Sequence, residues 1–189
     1  FYIGRYEVGD LNQTTPVVKR MNTDIKRQTW YTMYKKCKKL SGANTNVKTS
    51  MIWGTQYDQV MNWLIKSGEK TPLDINKGSV AWGNYKDNEF EYYTNTSKTT
   101  AIKKLGSRET IASGAYEGAK ANNIYDLAGN VWLWTLEADS SGSGYGRYVR
   151  GSSHYNKGTD NSYASGYNSS NRPYGSFDDV GFCGELYIK

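Results

Sequence analysis

The apolar positions of this 189-residue chain change their period along its length. From Val131 to Thr135 they run as an alternation in which Val131, Leu133 and Thr135 oppose Trp132 and Trp134, directly after the turn signal Ala128-Gly129-Asn130. This pattern predicts a tight turn feeding a strand that is buried on both faces. Phe1 to Val8 alternates more loosely in strand-forming residues and predicts an N-terminal strand. Trp30, Met33, Cys37 and Leu40 recur at helical spacing, with Thr23 or Asp24 as the cap and Gly42 as the stop, which predicts an amphipathic helix over 25–40. Tyr57, Val60, Met61 and Leu64 make a second stripe after a brief buried segment at Met51-Ile52-Trp53. Thr55 to Asp58 reads as its capping box and Gly68 as its end, so a helix through about Ser67 follows. Residues 71–120 hold no sustained period and read as long connecting loops with a short strand at Phe90–Tyr93.

Composition narrows this outline. The length suits one domain spanning 1–189, with no shift that marks a second and no internal repeat. Hydrophobic residues make up only 37%, while 17 Tyr, 20 Gly and 6 Trp are present, so the core must lean on aromatic rings and much of the chain must be loop. The formal charge of +6 raises a nucleic-acid partner, and Lys35, Lys36, Lys38 and Lys39 form a basic cluster. Those lysines fall behind the apolar face of the first predicted helix, which favours a solvated helix back. Cys37 and Cys183 sit in apolar contexts and read as small buried hydrophobes; nothing in their spacing demands a disulfide. Sequons at Asn12, Asn95 and Asn168 are what chance gives in an Asn-rich chain. No signal peptide, membrane span or lipidation motif is present, and a chain that opens on Phe1 reads as part of a longer protein.

One stretch differs from the rest. Of the 39 residues from Ser141 to Asp179, 9 are Ser, 7 Gly, 6 Tyr, 4 Asn and 3 Asp, and Val149 is the one large aliphatic residue. Such a segment cannot build its own core, so it is expected to be displayed by the Trp-rich scaffold beneath. Tyr gives large contact area with few rotors to freeze, and Ser, Gly, Asn and Asp give adaptable hydrogen bonding, the mixture that binding loops favour. The candidate ligand-binding residues are Tyr145, His154, Tyr155, Asn156, Asp160, Asn161, Tyr163, Tyr167, Asn168, Tyr174, Phe177 and Asp178. No catalytic or metal-ligating set is expected, because clustered Cys, His or paired carboxylates are missing.

Asn122-Asn123-Ile124-Tyr125-Asp126-Leu127-Ala128-Gly129-Asn130-Val131-Trp132-Leu133-Trp134-Thr135 resembles the "N-x-x-D-x-x-G-N-V-W-E-W-T" signature of the formylglycine-generating enzyme and sulfatase-modifying-factor family. Phe1 to Val8 resembles that family's opening strand, Gly146 to Ser153 its "R-V-x-R-G-G-S" turn, and Asp179-Val180-Gly181-Phe182 its closing "G-F-R" strand. The resemblance implies an α+β, C-type-lectin-like fold of the formylglycine-generating-enzyme type, with two helices packed on small antiparallel sheets and the first strand beside the last. In those enzymes a cysteine pair shortly after the "R-G-G-S" turn binds copper; here His154 to Asn161 holds no cysteine, and His154 is the single histidine, so neither copper nor multi-histidine iron chemistry is implied. The carboxylate by which the family's "W-E-W" helps hold calcium is replaced by Leu133. Asp126, Asn130 and Glu137 remain as the oxygen donors of any structural calcium, and no other cofactor is expected.

The chain is also similar to the variable proteins of diversity-generating retroelements, which place a C-terminal variable region on this fold. There, adenine mutation turns Asn codons chiefly into Asn, Tyr, Ser, Asp, Gly, His and Thr, the residues mixed through His154 to Asp179. This resemblance implies a non-catalytic domain that binds a protein or glycan of a host or target cell, at a virion tip or cell surface, with no nucleic-acid partner and no membrane insertion. An oxidoreductase of the formylglycine-generating type and a carbohydrate-binding lectin domain are the alternatives, and the oligomeric state stays open.

Overall fold

The Trp-rich run forms the longest strand of the described residues, Trp132–Ala138, and the other elements are arranged about it. The computed structural model describes residues 1–139, 146–158 and 162–189. In chain order the strands are β1 (Tyr2–Ile3), β2 (Val8–Gly9), β3 (Val17–Val18), β4 (Val47–Met51), β5 (Phe90–Tyr93), β6 (Thr100–Lys103), β7 (Lys120–Ala121), β8 (Ile124–Tyr125), β9 (Trp132–Ala138), β10 (Arg147–Arg150), β11 (Tyr167–Asn171), β12 (Val180–Phe182) and β13 (Gly184–Ile188). The helices are α1 (Trp30–Cys37), α2 (Gly54–Lys66) and α3 (Pro72–Asn76). Few helices and several small sheets, all antiparallel except for one pair, make an α+β fold.

β9 lies between β10, which it pairs antiparallel, and β12, which it pairs parallel with Val180 opposite Trp132 and Phe182 opposite Trp134; β11 completes a four-stranded sheet outside β10. Residues 131–135 are all buried. Their alternation sends Val131 and Leu133 into one apolar cluster with Tyr57, Val60, Met61 and Leu64 of α2, and Trp132 and Trp134 into a second with Trp30, Met33 and Cys37 of α1. A strand covered by a helix on each face explains why Val131 to Trp134 are apolar without interruption.

The predicted meeting of the chain ends is present. β13 is the centre of a three-stranded sheet in which Tyr2 faces Leu186, and β4 pairs along the other edge. The first strand is shorter than expected: it ends at Ile3, and Val8 belongs to a separate pair with Val18.

Three boundaries differ from the sequence reading. α1 begins at Trp30, where Thr29 Oγ1 accepts the Thr32 N–H at 3.2 Å; neither Thr23 nor Asp24 is the cap. Asp24 is occupied holding Asn12 through two hydrogen bonds, and Arg27 at φ 67° interrupts any helical path from Ile25. α2 starts at Gly54, one residue ahead of the expected capping box. Gln56 Oε1 takes the N–H of Trp53 at 2.8 Å, so Thr55 lies within the first turn. In 71–120 the strand at Phe90–Tyr93 forms, but its hairpin partner β6 and the helix α3 were not anticipated. α3 has a legible start, since Pro72 follows Thr71 and Asp74 Oδ2 accepts the Thr71 N–H at 2.8 Å.

Candidate functional site

The displayed stretch is fastened at both ends and at intervals between. β10 carries Val149 into the core opposite Trp134, and β11 pairs outside it with Asn168 opposite Val149 and Tyr167 opposite Arg150. Gly151 follows at φ 87°, with its N–H bonded to Gly166 O and its carbonyl accepting from Gly129 N–H, which ties the "R-G-S-S" turn to the signature turn. Farther on, Trp30 N–H donates to Pro173 O at 3.0 Å and Arg27 N–H to Phe177 O at 3.2 Å, so the loop after β11 is clipped to the start of α1.

On these supports Tyr155, Tyr167 and Tyr174 are 40%, 64% and 62% exposed, and Asn168 and Asp178 are also exposed. Asn156, Tyr163 and Phe177 are half-buried, with the Phe177 ring 6.0 Å from that of Trp134. Asp178 pairs with Arg27 at 2.7 Å. Tyr167 and Tyr155 stand on separate supports: the Arg150 guanidinium lies 5.4 Å from the Tyr167 ring, whereas Tyr155 packs on His154 and faces Arg108 at 5.9 Å. Arg150 is itself held by Asp58 and Glu137, each at 3.3 Å, so the ring of Tyr167 rests on a fixed cation. Tyr145, Asp160 and Asn161 lie outside the described residues.

His154 corrects the sequence reading. It is 1% exposed, part of the scaffold beneath the displayed face. Its Nδ1 meets the carbonyl of Asn130, which can only accept, so Nδ1 carries the proton. Burial pushes the imidazole pKa down to about 4, and the ring is neutral at neutral pH. No sequence signal marks it, because Ser152 and Ser153, which continue the buried path from β10 to His154, are polar as well.

Sequence reasoning passed over other contributors to this face. Tyr31 is 52% exposed beside Trp30, the Arg147 guanidinium sits 4.3 Å from the Trp30 ring, and the Tyr148 ring lies 5.7 Å from that of Tyr167. The first helix looked wholly like scaffold, and only the chain path at Pro173 and Phe177 brings its N-terminal end to the displayed face.

The oxygen donors considered for calcium are each taken up by different partners. Glu137 pairs with Arg150; Asp126 Oδ2 accepts from Ser113 Oγ at 3.0 Å and Gly114 N–H at 2.7 Å; Asn130 bonds to Asn84 and Glu7. Among the described residues no three His, Cys, Asp or Glu side chains gather as a metal site. The most perturbed titratable groups, Glu7, Cys37, Tyr57, Tyr85, Tyr125, Asp126, His154 and Cys183, are buried within the scaffold, and burial is the leading cause of each shift.

This architecture has a counterpart among solved structures. Treponema denticola variable protein 1 superposes with a TM-score of 0.57 over 97% of this chain and 78% of its own, at 14% sequence identity. The chain shares the fold of that variable protein. The likeness to retroelement variable proteins, raised by the residue mixture of 154–179, is thus present in the fold, at 14% identity. A second structure, CarF, aligns over 87% of this chain and 67% of its own with a TM-score of 0.48 and 14% identity. No protein-family model matches the chain, and no curated protein matches it either.

Proposed function

We propose that the protein is a non-catalytic ligand-binding domain of the retroelement variable-protein kind, a single domain built on the formylglycine-generating-enzyme form of the C-type-lectin-like fold. The observation that carries the reading is the division of labour among the described residues of 146–180: buried anchors at Val149, Ser152, Ser153 and Val180 alternate with exposed Tyr155, Tyr167, Asn168 and Tyr174. Such a layout lets displayed side chains change while the backbone that carries them stays fixed. The fold shared with a variable protein supports it further. The ligand is a protein or glycan on a host or target cell, the display site a virion or cell surface, and neither a cofactor nor nucleic acid is needed.

A pull-down against surface material of candidate host cells, followed by an alanine scan, tests the reading. Changing Tyr167, Tyr174 or Tyr155 singly should cost about 2 kcal/mol or more of affinity for at least one of them, as aromatic anchors do. Changing Lys35, Lys36, Lys38 and Lys39 together should alter only the salt dependence of association, because exposed charges are screened beyond about 8 Å in physiological buffer. Loss of binding from the lysine changes alone would move the site to α1 and defeat the proposal. A reverse transcriptase gene and a near-copy of the 141–182 coding sequence beside the gene would identify the diversifying system.

A further inference from the structure

Away from the displayed face, a groove of about 540 Å³ opens between β1, α2 and the turn joining β7 to β8. Its size falls in the roughly 300–1,000 Å³ range of small-ligand sites, and no described residue of 146–179 lines it. Val60 and Ile124, buried, and Ile3, half-buried, form its apolar floor and belong to the same core cluster as Leu133. The groove is therefore pre-formed. Tyr2 and Trp63 stand at its edges, 61% and 46% exposed.

The polar lining decides what such a groove suits. Arg5, Gln59 and Asn123 are exposed and, among the described residues, make no side-chain hydrogen bond or ion pair. Asn123 is held in place by its turn: Asn122 and Asn123 have φ of 44° and 65°, and Asn122 Nδ2 donates to Ser67 Oγ at 2.7 Å, just beyond the end of α2. An extended peptide added to the sheet edge would need free backbone groups beside β1. Just beyond β1 the backbone is already engaged with β8, because Arg5 O accepts from Tyr125 N–H.

We propose that this groove binds an acidic oligosaccharide. Exposed rings offer flat apolar faces to the C–H face of a pyranose. The Gln59 and Asn123 amides both donate and accept, as sugar hydroxyls require, and an uncompensated guanidinium at Arg5 matches a carboxylate with two parallel donors. The charge argument is local to Arg5 and agrees in sign with the +6 of the chain. This site is independent of the displayed face and stands or falls separately from it.

Titration calorimetry with trigalacturonate, and with maltotriose as the uncharged probe, tests the proposal on the wild type and on Trp63→Ala, Arg5→Gln and Tyr167→Ala, each with its melting temperature recorded. Trigalacturonate should bind more tightly than maltotriose. Arg5→Gln should weaken trigalacturonate by about tenfold and remove the preference for the charged sugar, Trp63→Ala should weaken trigalacturonate at least as much, and Tyr167→Ala should leave it unchanged. Absence of binding at millimolar sugar overturns the proposal. So does binding that survives Trp63→Ala with the fold intact, binding that is indifferent to Arg5→Gln, or binding lost in Tyr167→Ala.

Discussion

Asn130 Nδ2 donates to Glu7 Oε2 at 2.8 Å, joining residues 123 apart in sequence and fixing the N-terminal segment to the signature turn. The same network carries a second buried carboxyl, since Glu7 N–H donates to Ser113 Oγ and Ser113 Oγ donates to Asp126 Oδ2. Burial, and then the neighbouring Asp126 charge, hold Glu7 well above the usual carboxylate range; burial lifts Asp126 to about 6. Two oxygens of this pair, Glu7 Oε1 and Asp126 Oδ1, have no hydrogen-bond partner among the described residues.

Because both native pKa values exceed the unfolded ones of about 4, the folded protein holds more protons than the unfolded chain above that pH. This contribution is fully present below about pH 4 and is lost as pH rises through the native values. Glu7→Gln keeps an acceptor for Asn130 and removes one charge. Its melting temperature should therefore fall less than that of the wild type between pH 5 and pH 8. Parallel profiles for the two proteins would show that Glu7 is ionised throughout.

His154 shifts in the opposite sense. Its native pKa of about 4 lies below the unfolded value of about 6.5, so its contribution to stability is present above about pH 6.5 and is lost as pH falls toward 4. In His154→Gln that acid-side loss should be smaller than in wild type, and the variant should be less stable at pH 7 because the Asn130 carbonyl loses a well-placed partner. Thermal unfolding at pH 4.5 and pH 7 measures both effects.

Scaffold and surface should separate cleanly in stability. Trp134 is fully buried, and Trp134→Ala should cost about 3–5 kcal/mol, on the order of 10 °C in melting temperature for a domain of this size. Tyr174→Ala and Asn168→Ala, at exposed positions, should each stay within about 0.5 kcal/mol. Circular dichroism melts of the three variants give the comparison.

Gly129 stands at φ 72°, and a Cβ there would lie 2.2 Å from the carbonyl oxygen of Asn84. Backbone cannot yield as a side chain tip can, so Gly129→Ala should destabilise more than a left-handed residue alone would, by several kcal/mol. Expression as soluble, cooperatively melting protein at wild-type temperature would contradict this.

Cys37 and Cys183 are free and buried, and burial lifts both thiols to about 12. Neither should react with a thiol reagent in the native protein at pH 8, and both should react in denaturant. Rapid native labelling of either would mean that the core around it opens.

The sequence by itself determined the central strand and the two helical stripes. Each rests on local information: Val131 to Thr135 alternate, and Tyr57 to Leu64 repeat at helical spacing. Tertiary structure decided what depends on distant partners. Arg27 takes a left-handed conformation, its N–H bonded to Phe177 and its guanidinium paired with Asp178, and this moved the start of α1 to Trp30. His154 became scaffold because Asn130, 24 residues earlier, presents a buried carbonyl to it. Tyr167 gained a fixed support because Asp58 of α2 and Glu137 of β9 converge on Arg150. Polar residues such as these have no periodic signature, since what fixes a buried polar group is the partner that satisfies it, and that partner is brought close only by the fold.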